Sequence, residues 1–258
     1  DSDVLSVDNK VYFTWLQFTP GKGDRIWFAS EESGNVSDPV LLHETGCYAN
    51  PTLTVDARGQ IWFSYEQERG DQWDVLTSIY DAQENQFSKP RVIADADGPD
   101  IHHAVAADSE RGLWFVWQTG RDGQFDIVGR RVVADSDGPI EPVSESPRGD
   151  WHPDIAVTSD GGVHVVWDAY NGESFDVRMR SLRSGIWREV IEIASSPAFE
   201  GRAQIAPGRD DIVWVVWEEG TENWGHTYFS RLDARQKDQT PYEEMNELCG
   251  PLHTYRLL

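Results

Sequence analysis

Asn50, His102, His152 and Arg202 follow one another at steps of 52, 50 and 50 residues, and sixteen residues after each stands Glu66, Gln118, Asp168 or Glu218. Imidazoles and a guanidinium facing carboxylates suit a sugar, a carboxylated ligand or a bound ion. The plainer reading is that these side chains line a wet channel and meet only water, because a fold does not by itself carry a function. Two histidines with an acid could hold a metal, but no spacing selects for one and no cofactor is expected. A second periodic set, Asp24, Asp74, Asp126 and Asp176 with His226 in the fifth place, repeats too regularly to be catalytic. It is read as scaffolding carboxylates that accept N–H groups of a turn or a neighbouring strand. Trp73, Phe125, Trp151, Phe175, Phe199 and Trp224 fall near the same positions, either as stacking platforms for sugars or as packing between repeats.

These residues are positioned by a repeat. VYFTW, IWFSY, LWFVW, VHVVW and VWVVW end on Trp15, Tyr65, Trp117, Trp167 and Trp217, at steps of 50, 52, 50 and 50 residues. Each run is apolar at nearly every position, the signature of a strand covered on both faces. An Asp/Gly turn and a shorter strand precede it, and a third strand opens at the repeated Asp. A fourth strand is expected in VIEIA and, more weakly, in RVIAD. Four antiparallel strands in about fifty residues fit a propeller blade. The expected architecture is therefore an all-β, five-bladed β-propeller in one domain, 1–258. Its blades lie near 1–45, 46–98, 99–148, 149–198 and 199–258. The polar set counted fifteen residues back from each key aromatic would then ring the upper mouth of the channel. In the fifth copy either Thr227 to Leu232 or His253 to Leu258 is the third strand.

QTGRDGQFDIVGR around Asp126 and NGESFDVRMR around Asp176 resemble the Asp-Ile-Tyr repeat of TolB-type propellers. VDARGQIWFSYE is similar to the Asp-x-x-Gly-x-Ile/Leu-Trp turn of sensor-type propellers. The chain departs from the sialidase Asp-box, since no Thr precedes the Trp. WEEGTENWG and PLHTYRLL resemble a propeller found upstream of PHP-like domains in large bacterial proteins of unknown function. That resemblance implies a further domain in a longer chain, and a start without Met inside a repeat agrees with it.

Composition narrows the partners. Forty-five acidic against 22 basic residues give a formal charge of −23, which repels phosphate backbones and anionic lipid. Nucleic acid and membrane insertion are not expected; a carbohydrate or protein partner is. Cys47 and Cys249 have no zinc-type spacing. They are expected to bridge the first and last blades, which suits a periplasmic or extracellular protein. The leading functional expectation is a non-catalytic binding or scaffolding propeller that takes a glycan, peptide or partner domain at the upper mouth. The alternative is a glycoside hydrolase or lyase-like enzyme acting on a polysaccharide. Against the hydrolase, the inner positions hold Asn, His, His and Arg where a two-carboxylate mechanism needs acids, which leaves Asp154, Asp168, Glu66 and Glu218 as substitutes.

Overall fold

The computed structural model describes the chain except Asp95, Arg111, Asp135, Glu222, Asn223 and residues 234–258. It is an all-β, propeller-like fold of five antiparallel sheets. Their leading strands are Ser2–Val7, Tyr48–Val55, Asp100–Ala107, Asp150–Val157 and Phe199–Pro207. Each pairs with a long second strand (Lys10–Thr19, Ile61–Arg69, Leu113–Thr119, Val163–Tyr170, Ile212–Thr221), which pairs in turn with a third. In the fifth sheet the third strand is Trp224–Asp233. The first of the two alternatives for that copy is thus the one realised, while His253 to Leu258 lie outside the described residues.

The outer edge differs from the sequence expectation. In the first four sheets the fourth strand is two short pieces, such as Asn35–Val36 and Val40–His43, both paired with the third strand. Pro39, Pro90 and Pro139 stand between the pieces in the first three sheets. Proline has no N–H for the ladder, so the edge breaks there.

The chain divides into two compact units: Asp1–Gly123 with Gly129–Ile140, and Gln124–Val128 with the chain from Glu141 onward. In the first, Tyr12, Ile26, Phe28, Phe63, Tyr65 and Leu76 share one core cluster; in the second, Val166, Val177, Met179, Val215, Trp217 and Leu232 do. All five key aromatics lie on second strands. Tyr65, Trp117, Trp167 and Trp217 are at most 2% exposed, whereas Trp15 is half-buried and stacks on its cross-strand partner Trp27. The buried indoles need an acceptor. Trp117 Nε1 donates to Asp100 at 2.9 Å and Trp167 Nε1 to Asp150 at 3.0 Å, each aspartate lying two residues before a predicted site histidine. In the fifth sheet Glu200 instead accepts the Ser196 N–H, and among the described residues Trp217 Nε1 has no hydrogen-bond partner.

Candidate functional site

The four residues picked out by spacing share one backbone property. Asn50, His102, His152 and Arg202 all have left-handed φ values, between 49° and 55°. At each the pairing with the second strand slips, between Ala49 and Thr52, Ile101 and Ala104, Trp151 and Asp154, and Gly201 and Gln204. They therefore sit in β-bulges, not at plain strand starts. Asn and His tolerate this region better than most residues, Arg does not, and each such residue costs about 1 kcal/mol or more. A bulge re-aims its side chain and leaves backbone N–H groups out of the ladder.

Some of those N–H groups are met by the acids that stand sixteen residues after the first set. In the first unit Glu66, 3% exposed, accepts the His103 N–H at 2.9 Å. In the second unit Asp168 accepts the N–H groups of Arg202 at 3.0 Å and Ala203 at 3.3 Å. One step deeper, Asp3 takes the Leu53 N–H at 2.7 Å and Asp154 the Ile205 N–H at 2.8 Å. Carboxylates of one sheet thus tie down the bulged strand of the next within each unit. Burial raises the pKa of Asp154, which also accepts the Ile155 N–H.

The first unit builds a closed network. Asn50 Nδ2 donates to Glu66 at 3.1 Å and to the His103 carbonyl at 2.8 Å. His103 Nδ1 lies 2.9 Å from the same Glu66 oxygen and its Nε2 3.0 Å from Ser64 Oγ. Burial pushes the Glu66 pKa up, but the bonds from His103 and Asn50 outweigh it and hold the group below its ordinary value. Hydroxyl, imidazole and carboxylate stand in the order of a nucleophilic triad, yet Ser64, His103 and Glu66 are all at most 4% exposed. The ring's two nitrogens are spent on buried partners, so this cluster fixes the bulge. Spacing does not single out His103; the lone Ser within IWFSY is the one signal that something polar faces it.

The second unit builds an open site. His152 is half-exposed, and its Nδ1 lies 3.2 Å from Asp168 Oδ2, the oxygen that also accepts the Arg202 N–H. The Arg202 guanidinium reaches into solvent, 71% exposed, and pairs with Glu218 at 2.8 Å. One buried carboxylate therefore orients an imidazole and fixes the backbone of a neighbouring cation. Asp168 spends its oxygens on these contacts, and Asp154 spends its own on backbone N–H groups, so neither is presented as a free acid or nucleophile. His102 is exposed and Gln118 buried. Among the described residues no group of three or more His, Cys, Asp and Glu side chains could hold a metal ion.

Three of the repeated aspartates serve the turns beside them, and Asp24 serves the leading strand of the next sheet. Asp24 accepts the Tyr48 N–H, Asp74 binds Arg69 and Gln72, Asp126 accepts from Gln124, and Asp176 from Asn171. Phe125, Trp151, Phe175 and Phe199 form a continuous row in the second unit, with centroids 6.4, 5.3 and 5.7 Å apart. Trp73 is half-buried in the first unit, and the Trp224 side chain lies outside the description. Cys47 is exposed, while Cys249 lies beyond the described residues, and with it the expected bridge.

No protein-family model matches the chain, and no curated protein sequence matches it, so the TolB-type and PHP-linked resemblances gain no support from either. Solved structures do match. A protein of unknown function from Dyadobacter fermentans aligns over 98% of this chain and 82% of its own, with TM-score 0.69 and 11% identity. An ulvan lyase of polysaccharide lyase family 25, bound to a saccharide of glucuronic acid and sulfated rhamnose, aligns over 93% of this chain and 68% of its own, with TM-score 0.65 and 8% identity. The catalytic domain of a Coprinopsis cinerea α-L-arabinofuranosidase covers 86% and 84%, with TM-score 0.54 and 10% identity. At such identities the likeness is one of fold.

Proposed function

We propose that the chain acts on an acidic polysaccharide by β-elimination at the site of the second unit, in place of the binding-only role expected first. The observation that carries this reading is the half-exposed His152 held by the buried Asp168, which also anchors the backbone of Arg202. Elimination from a uronic acid residue needs a base for the proton beside the carboxylate and a cation to hold that carboxylate as charge builds on it. Arg202 can supply the cation, because its pair with Glu218 is solvent-exposed and such pairs contribute at most about 1 kcal/mol, little to give up for a substrate carboxylate. His152 takes the C5 proton, the C5–H electron pair becomes the C4–C5 double bond, the C4–O glycosidic bond breaks, and the departing oxygen receives the proton back from His152. A two-carboxylate hydrolysis fits less well, since Asp154 and Asp168 are engaged by backbone N–H groups. Fold neighbours that include a polysaccharide lyase and an arabinofuranosidase support a carbohydrate substrate. Among the described residues no helix is long and apolar enough to cross a membrane, and an extracytoplasmic location, where such polymers are met, is part of the proposal.

The test is ultraviolet absorbance of the new double bond during incubation with polyglucuronate, alginate and neutral xylan. Uronate polymers should yield it and xylan should not. His152→Ala should lower the rate by roughly a hundredfold or more, and Arg202→Ala mainly raise KM. Binding of a uronate polymer with no absorbance change would restore the binding-only reading, and reducing sugar released from xylan would favour the hydrolase.

The charge of −23 adds a second expectation. A polyanionic substrate is repelled by the whole surface but held by Arg202 at contact distance. Raising ionic strength from about 10 mM to about 150 mM shortens the Debye length from roughly 30 to 8 Å, which screens the first effect more than the second. KM for a uronate polymer should fall severalfold over that range; a steady rise with salt would show that long-range attraction governs capture.

A further inference from the structure

Half-exposed rings border the proposed site, and glycine places two of them. A Cβ on Gly149 would overlap the tip of the Trp151 indole, and one on Gly201 would stand 2.8 Å from Phe199 Cζ and 3.2 Å from the Asp168 carboxyl carbon. Each ring occupies the space a side chain would take, and at Gly201 the Phe199 ring and the Asp168 carboxylate meet across one α-carbon. Gly201 has no left-handed φ, so the residue is needed for room and not for backbone freedom. Phe175 joins the two rings, lying 5.3 Å from Trp151 and 5.7 Å from Phe199. Phe199 remains 36% exposed. Tyr170 contacts both Trp151 and Phe175, and its hydroxyl donates to the Gly172 carbonyl. The Arg148 guanidinium rests over Gly172, with Cζ 2.7 Å from where a Cβ would be.

On the premise of the elimination reading above, we infer that this row is a subsite for a run of uronic acid residues, with pyranose faces laid along Trp151, Phe175 and Phe199 and carboxylates met by Arg148 at one end and Arg202 at the other. Fixed rings lose little entropy on binding, and pyranose faces are apolar enough to cover them. Guanidinium groups at both ends select acidic over neutral chains, because a planar fork matches a carboxylate.

Calorimetric titration with glucuronate oligomers of two and six residues, and with xylohexaose, tests this. The hexamer should bind at least tenfold more tightly than the dimer. Phe199→Ala should erase most of that gain and leave the dimer's affinity within about twofold, and Gly201→Ala, whose new Cβ crowds the Phe199 ring and the Asp168 carboxylate alike, should erase the gain and weaken the dimer as well. Arg148→Gln should reduce preference for the glucuronate over the xylose hexamer severalfold. A length gain that survives both Phe199→Ala and Gly201→Ala overturns the subsite. The outcomes separate from those of the lyase reading: a length gain lost on Phe199→Ala without any absorbance change keeps the subsite and sinks the elimination, while elimination with no length dependence does the reverse.

Discussion

Replacing Asp168 with Ala should cost the second unit about 3–5 kcal/mol. The carboxylate is 2% exposed and accepts from the backbone N–H of Arg202 and Ala203 while holding His152. Removing it strands two donors inside a bulge whose central residue, Arg202, is already in a strained left-handed conformation. Each stranded buried donor costs about 1–3 kcal/mol, and hydrogen bonds to a charged acceptor are the stronger kind. At roughly 2–4 °C per kcal/mol the melting temperature should fall by about 10 °C. Asp168→Asn keeps one oxygen for the N–H groups and should lose less than half as much stability, yet it no longer offers His152 a charged partner. If the elimination chemistry holds, the Asn variant should be folded and at least tenfold slower. A loss under 1 kcal/mol for Asp168→Ala would mean that water reaches the bulge, and the carboxylate would then be a positioning group only.

Much of the fold is legible because strand periodicity and the fifty-residue repeat are written in apolar side chains, which the double cover of each second strand demands. Trp117 and Trp167 fall where the spacing puts them, and so do the indole acceptors Asp100 and Asp150 once the repeat is aligned. Bulges are not legible as bulges. A register slip is a backbone event, and its marks in sequence are only the taste of Asn50, His102 and His152 for positive φ, with Arg202 carrying no such mark. Spacing can name Glu66 and Asp168 as partners of that set but not their burial, which follows from the next strand folding over them. The need for an absent side chain is equally hidden. Gly149 and Gly201 look like loop glycines in the sequence, and only the packed rings of Trp151 and Phe199 show what they make room for. The broken outer edge is readable from Pro39, Pro90 and Pro139, since each removes a ladder donor.

Two buried titratable groups in the second unit should set its stability against pH in opposite directions. Asp150 is fully buried and accepts from the Trp167 indole on one oxygen, and among the described residues its other oxygen makes no hydrogen bond of ordinary geometry. Burial drives its pKa from 3.8 up to about 6, with Asp126 adding to the rise and Ser144, Trp167 and Arg178 opposing it. His164 is also fully buried, between Ser181 Oγ at 2.8 Å and Thr158 Oγ1 at 3.3 Å. Burial drives its pKa from 6.5 down to about 4, helped by Arg183 against Asp160 and Asp211. Between pH 4 and 6 the folded state holds the Asp150 proton that the unfolded chain releases, so that contribution falls as pH rises. Between pH 4 and 6.5 the unfolded chain binds the His164 proton that the folded state refuses, so that contribution falls as pH drops. Each shift is about two pH units or slightly more, or roughly 3 kcal/mol, and in the native protein the two nearly cancel. Asp150→Asn should expose the histidine: measured by chemical denaturation, the variant should match the native protein near pH 4 and exceed it by up to about 3 kcal/mol at pH 7.5. His164→Gln should do the converse, gaining on the native protein as pH falls from 6.5 to 4. Carboxylates elsewhere contribute equally to variant and native curves and drop out of the difference. A difference for Asp150→Asn that is the same at pH 4 and pH 7.5 would show that the group stays ionised in the folded state, with its second oxygen hydrated rather than bare.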